Sequence, residues 1–211
     1  MISIRFGLLV FLLTSFQAFA LDTYEPYSSG FSDYEIYYTN FDGGNHTISA
    51  NVGYGGGDYF NPAINPVLGF SSGSSFSALS IMNISNLYKG VFEFDFVPAV
   101  GWDFESRINT FTLGFEWTLP LGVITPYLQH AHTFLAEDLG SNASIANLGT
   151  AVYLFEGGEA FAQASKAFGN VNFWSYEAGF NYRLVKSMEL ISSVGYREGF
   201  IASLGAIFTL E

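Results

Sequence analysis

The sequence predicts an all-β chain, closed into an antiparallel transmembrane β-barrel of about twelve strands. Three observations carry this. The stretch 91–105, VFEFDFVPAVGWDFE, alternates aromatics with acids: Phe92, Glu93, Phe94, Asp95, Phe96, and later Trp102, Asp103, Phe104, Glu105. Phe92, Phe94, Phe96, Pro98, Val100, Trp102 and Phe104 share one face of an extended chain. At about 3.3 Å per residue that stripe is roughly 40 Å long, whereas a usual globular strand has about 5–6 residues. Second, aromatics make up 18% of the 211 residues and charged residues only 12%, against about 25% charged in ordinary globular domains. Past residue 20 no apolar run approaches a transmembrane helix, so the apolar residues are spread by alternation. Third, alternating segments recur along the whole chain with turn signals between them. A bilayer admits only helices and closed barrels, because backbone groups find no water there, and alternation is the mark of the barrel.

The first twenty residues, MISIRFGLLVFLLTSFQAFA, read differently. Arg5 precedes an apolar run from Gly7 to Leu13, and Ala18-Phe19-Ala20 fits a small-x-small cleavage site. Residues 1–20 are therefore expected to be a cleaved signal peptide and 21–211 the barrel. The chain has no Cys, so its stability must come from topology rather than from disulfides.

Strands are expected at 31–41, 46–56, 66–72, 76–85, 90–104, 109–119, 123–135, 145–155, 159–168, 173–184, 188–196 and 200–210. In the first, Tyr34, Ile36 and Tyr38 oppose Asp33, Glu35 and Thr39. In the second, Ile48, Ala50, Val52 and Tyr54 oppose Thr47, Ser49, Asn51 and Gly53. The sixth sets Phe111, Leu113, Phe115, Trp117 and Leu119 against Thr110, Thr112, Gly114, Glu116 and Thr118. The tenth sets Trp174, Tyr176, Ala178, Phe180, Tyr182 and Leu184 against Ser175, Glu177, Gly179, Asn181 and Arg183. In the last, Ala202, Leu204, Ala206, Phe208 and Leu210 share a face. Turn signals at 42–45, 120–122, 156–158 and 185–187 separate the segments. The third segment is the weakest: Gly55 to Ser75 carries Pro62, Pro66 and many Gly and Ser. Read as a loop, it leaves ten strands.

On these residues the chain resembles a small bacterial outer-membrane β-barrel, porin-like protein, over its whole expected mature length. The resemblance implies an outer-membrane location, membrane lipids as surroundings, and short periplasmic turns facing longer outer loops. The connections at 120–122, 156–158 and 185–187 alternate with those at 105–108, 136–144, 169–172 and 197–199, of which all but the last, of equal length, are longer. The short set, and both termini, are therefore expected on the periplasmic side.

If the aromatics face lipid, the acids face the lumen. The expected lumenal belt is Asp33, Glu35, Glu93, Asp95, Glu116, Glu177 and Glu189, with Asp103, Glu105 and Glu211 at the rims and Arg183 and Arg197 as inward bases. Without the leader the chain has nineteen acids against six Lys and Arg, a net charge of −13. Unpaired ionised carboxylates in a dry interior lose too much solvation, so the belt implies a wet lumen or entering cations. The inward residues are also small, among them Gly53, Ala99, Gly101, Gly114, Gly179 and Gly205, which leaves room for water. The turn at 185–187 sets Arg183 opposite Glu189, a lumenal ion pair. The turn at 105–108 sets Asp95 opposite Thr118 and diagonal to Glu116.

His130 and His132 form the one histidine cluster in the sequence, and alternation points them the same way. They are weak metal candidates, since a site needs further ligands; no metal or other cofactor is expected. They share a face with Leu128 and Phe134, so whether they line the lumen or the interface stays open. Three functions follow. The leading one is a narrow passive pore for small cationic or neutral solutes. The second is a non-transporting barrel that anchors, adheres or stabilises the envelope. The third is a lipid-modifying enzyme with a Ser–His pair on the outer wall, for which the sequence sets no Ser beside either histidine. The acidic balance argues against nucleic acid as a partner.

Overall fold

The computed structural model describes residues 32–41, 45–55, 57–71, 74–136 and 142–210. The expected leader lies outside them, as do Glu211, Glu137 and Asp138 and the side chain of Asp33. Twelve strands run β1 (Ser32–Phe41), β2 (Asn45–Tyr54), β3 (Asn61–Ser71), β4 (Ser74–Lys89), β5 (Glu93–Asp103), β6 (Ile108–Thr118), β7 (Ile124–Leu135), β8 (Asn142–Phe155), β9 (Gly158–Gly169), β10 (Trp174–Val185), β11 (Met188–Tyr196) and β12 (Phe200–Leu210). Each pairs antiparallel with its sequence neighbours, and β1 pairs with β12 to close the barrel. Closure leaves no unpaired edge, which is what a bilayer requires.

Alternation decides which way each strand faces. In β6 burial alternates residue by residue, with Thr110, Thr112, Gly114, Glu116 and Thr118 inside. The outer residues form an aromatic ladder. Phe94 stacks on Trp117 with centroids 4.9 Å apart and on Phe115 at 6.0 Å, and Phe96 meets Phe115 at 5.3 Å. Ile36, Phe111, Leu148 and Leu204 stand exposed on the same outer surface. Such a surface is stable against lipid and would associate in water.

Residues 61–71 are a strand, not a loop, so the count is twelve. The prolines are accommodated by where their missing N–H groups fall. The β3–β4 ladder is continuous through Pro66, but the β2–β3 ladder jumps from Ser49↔Val67 to Val52↔Ile64. Proline removes its ladder bond on one side only. The remaining connection, 55–60, is tied down to β4. Asn86 N–H donates to the Asp58 carbonyl at 2.6 Å, and Asn83 Nδ2 and Ser85 Oγ both donate to the Tyr59 carbonyl.

The length asymmetry expected between the two ends is absent. Connections run from two to six residues at the near end, where β1 begins and β12 finishes, and over the same range at the far end. Loop length therefore does not orient this barrel. One register also differs from expectation. Asp103 pairs with Ile108 across the turn, so Asp95 stands directly opposite Glu116, and Thr118 opposite Glu93.

The interior is more filled than the small residues suggested. Among the described residues an inward aromatic lies across an inward glycine on the neighbouring strand at four places: Tyr37 over Gly205, Phe76 over Gly69, Tyr127 over Gly149 and Phe161 over Gly179. A Cβ at Gly149 would sit 2.3 Å from the Tyr127 ring. These glycines make room for rings rather than for water. Val67, Val97, Ile145 and Ile191 are also buried inside.

Candidate functional site

The candidate site is the inner wall. At its near end stand Glu93 and Asp95 at the start of β5, Glu116 near the end of β6, Glu159 at the start of β9, Arg183 near the end of β10 and Glu189 at the start of β11. Glu35 lies three pairs in from the near end of β1 and is buried. Arg183 faces Glu189 in register, with Nε 4.0 Å from Oε2, as the turn at 185–187 implied. Lys89 stands opposite Glu93 at the rim. Glu177 sits apart from this group, toward the far end of β10. Asp103 serves the far-end turn instead of the lumen: its Oδ1 accepts the N–H groups of Glu105 and Ser106, both at 3.0 Å. Glu105 is exposed in that turn.

Sequence reasoning missed Glu159 and the amides. A register row crosses seven strands with a polar residue facing inward on each: Asn86, Asp95, Glu116, Gln129, Asn147, Ser165 and Ser175. Within it, Gln129 Nε2 donates to Glu116 Oε2 at 3.1 Å, and Asn147 Nδ2 donates to Gln129 Oε1 at 3.0 Å. An ionised carboxylate only accepts. Glu116 therefore fixes the direction of the chain, and the far terminus is a carbonyl oxygen. Asn147 Oδ1 is buried with no hydrogen-bond partner.

The same polarity recurs twice. Asn51 Nδ2 donates toward Glu35 Oε2 at 3.4 Å and Asn181 Nδ2 toward Glu159 Oε1 at 3.4 Å; in both, the amide oxygen is buried and unpartnered. A second chain runs from Tyr127 Oη to Gln163 Oε1 at 3.2 Å, and from Gln163 Nε2 to Glu177 Oε2 at 2.9 Å, while Ser193 Oγ donates to Glu177 Oε1. The acids thus consume the amide N–H groups. Of the atoms in these chains, those left without a partner are the amide oxygens of Asn51, Asn147 and Asn181. A solute that meets these oxygens and the acids beside them needs to bring donors.

A cavity opens where both chains end, with Asn147, Gln163, Ser165, Ser175 and Glu177 on its polar side. Phe41 and Ile201 form part of its apolar side. Arg197, in the far-end turn after β11, packs its guanidinium between two rings, 4.9 Å from the centroid of Phe173 and 5.8 Å from that of Phe41. Burial lowers its pKa to about 10, opposed by the charge of Glu198.

His130 and His132 face outward. Tyr127, Gln129, Ala131 and Thr133 take the inner positions of β7, and the histidines stand on the lipid side with Leu128 and Phe134. His132 meets the Phe134 ring edge-on at 4.3 Å. Its Nδ1 is hydrogen-bonded to the hydroxyl of Ser144, which faces it across β7 and β8. No group of three or more His, Cys, Asp or Glu arranged for a metal ion exists among the described residues.

No family model matches the sequence, and no curated relative matches it. Solved structures do match the fold. The KdgM porin superposes with a TM-score of 0.71 at 9% identity, over 85% of this chain and 99% of the porin. The NanC porin gives 0.67 at 8% identity, over 85% and 100%. An outer-membrane channel from Pseudomonas putida F1 gives 0.68 at 13% identity, over 90% and 98%. The chain has the fold of small bacterial outer-membrane porins.

Proposed function

We propose that this chain is a passive pore of the bacterial outer membrane that admits small cationic or neutral solutes past an acidic lining. The observation that carries this reading is the imbalance of charge on the inner wall. Among the described residues Glu35, Glu93, Asp95, Glu116, Glu159, Glu177 and Glu189 face inward, against Arg183 and, at the rims, Lys89 and Arg197. Rings of Asp and Glu are how cation channels select, and a low-dielectric wall concentrates counter-ions in front of them. The porin and channel folds that superpose on this chain support the same reading. One KdgM structure is a complex with disordered oligogalacturonate, a polyanion. An acidic inner wall repels such a cargo, so the sign of the solute is not carried over. The test is single-channel recording on refolded protein across a KCl gradient. A cation-directed reversal potential supports the pore; well-refolded barrels without conductance turn the reading to a non-transporting envelope barrel.

One observation favours a second reading, an acyl-ester hydrolase acting on lipid. Ser144 and His132 are hydrogen-bonded on the lipid-facing wall, the arrangement of a nucleophile and its base. In that chemistry Ser144 Oγ attacks an ester carbonyl, His132 takes its proton and returns it to the leaving alcohol, and water then cleaves the acyl-serine. Labelling by a fluorophosphonate in detergent, lost in Ser144→Ala, supports it. No labelling of the refolded protein removes it.

A further inference from the structure

The cavity at the end of the two amide chains has features that the pore reading alone does not require. We infer that it is a subsite for a protonated amine, held by Asn147 and Glu177. The inference deepens the pore reading and rests on it for the route by which a solute reaches the cavity.

Asn147 is 2% exposed, lines the cavity, and has its Nδ2 committed to Gln129. Reversing its amide would set two N–H groups, or two carbonyls, against each other along a chain whose direction Glu116 fixes. The free atom is therefore the carbonyl oxygen, and an unpaired buried acceptor costs about 1–3 kcal/mol until something donates to it. Glu177 supplies the charge. Its two carboxylate oxygens accept from Ser193 and Gln163, both neutral, so its hydrogen bonds are met and its charge is not. Arg197 is the nearest base by position, but it is held between Phe41 and Phe173, and no ion pair joins it to Glu177 among the described residues.

These constraints select the ligand group. A carboxylate or phosphate is repelled by Glu177 and gives Asn147 nothing. A neutral hydroxyl donates to Asn147 but leaves the charge of Glu177 uncompensated. An ammonium carries three donors and a positive charge. It satisfies Asn147 Oδ1, faces the Glu177 carboxylate, and has a third donor for the hydroxyl of Ser165 or Ser175. The methylenes beside it then pack on Ile201 and on the ring of Phe41.

The test is calorimetric titration of the refolded barrel in detergent with 1,4-diaminobutane and with 1,4-butanediol, a probe pair of similar size and different charge. Saturable diamine binding is expected, with the diol at least about tenfold weaker, because hydrogen bonds between charged partners are the stronger ones. Glu177→Gln keeps the two side-chain bonds within reach and removes the charge; it is expected to weaken diamine binding about tenfold or more. Asn147→Ser removes the orphan carbonyl without touching charge, and a smaller loss is expected; it also serves if Glu177→Gln does not refold. Glu105→Gln, at the exposed far-end turn, controls for bulk charge and should bind as the parent does. Equal binding of diol and diamine overturns the subsite, as does a diamine affinity unchanged by both cavity variants. A barrel that conducts cations without saturable diamine binding loses the subsite and keeps the pore; one that binds the diamine without conducting keeps the subsite and loses the pore.

Discussion

Along β5 and β6 the bulk stands outside the barrel. Phe94, Phe96, Phe115 and Trp117 pack ring to ring toward lipid, and Ala99, Gly101, Thr112 and Gly114 face in. Along β9 the order is reversed. Ala160, Ala162 and Ala164 face out, while Phe161, Gln163 and Ser165 face in. Lipid chains fill whatever an outward alanine leaves open, so the outer face tolerates either size. The inner face does not. Phe161 fits there because Gly179 lies beneath it, as Gly149 lies beneath Tyr127. Alternation of bulk therefore identifies a strand, but it names the lipid face only where the inward residues are polar or charged.

The largest way to break this comparison is at the aromatic wall. Phe115→Arg puts a charge in the hydrocarbon band and should cost about 2–4 kcal/mol, read by denaturant unfolding in detergent. A cost under about 1 kcal/mol would set that wall at the interface. Next is the β7–β8 counterpart of the filled wall. Gly149→Ala drives a methyl into the Tyr127 ring and should cost about 1–3 kcal/mol, the usual penalty of overpacking. A double cycle with Tyr127→Ala should recover part of that loss, since residues in contact are not additive. Smaller still is the Arg183–Glu189 pair. At 4.0 Å, with the Arg183 side chain 45% exposed, a double-mutant cycle should give about 0.2–1 kcal/mol. Ala162→Leu, which adds bulk toward lipid on β9, should stay within about 0.5 kcal/mol; a loss as large as that of Gly149→Ala would mean that Ala162 is packed against protein.

The fold was legible where charge and bulk agreed. Asp33 to Thr39, Thr47 to Gly53, Thr110 to Thr118 and Ser175 to Arg183 each carry polar residues on one parity, and their strands and faces follow from that. The 185–187 turn was short enough to fix Arg183 against Glu189. Pro62 and Pro66 hid β3, because a proline in a strand is acceptable only when the ladder beside it is interrupted, and that is a property of the β2 pairing. The faces of β7 and β9 were hidden by inward aromatics, Tyr127 and Phe161. Asp95 opposite Glu116 rests on the turn between β5 and β6 being 104–107 rather than 105–108, and two residues of register separate the two readings. The Ser144–His132 contact joins strands across the 136–141 connection, and spacing alone does not set that register. The amide chains were the least legible part. Gln129, Asn147 and Gln163 look like ordinary polar residues until pairing aligns them with Glu116 and Glu177.

The central claim is that the near-end carboxylates of the inner wall set the charge preference of the barrel. Glu93→Gln, Asp95→Asn and Glu116→Gln together remove three negative charges and keep the shape of each side chain. Asp95 and Glu116 stand directly opposite each other in register, so relief of their repulsion offsets part of what the lost charge-assisted bonds cost. The most direct measurement is the reversal potential across a KCl gradient for the parent and this triple variant, at low and high salt. The account predicts cation preference in the parent, weaker at high salt as screening shortens, and most of that preference gone in a triple variant that still folds and conducts. Anion preference in the parent, or a preference untouched by the three substitutions, would contradict it.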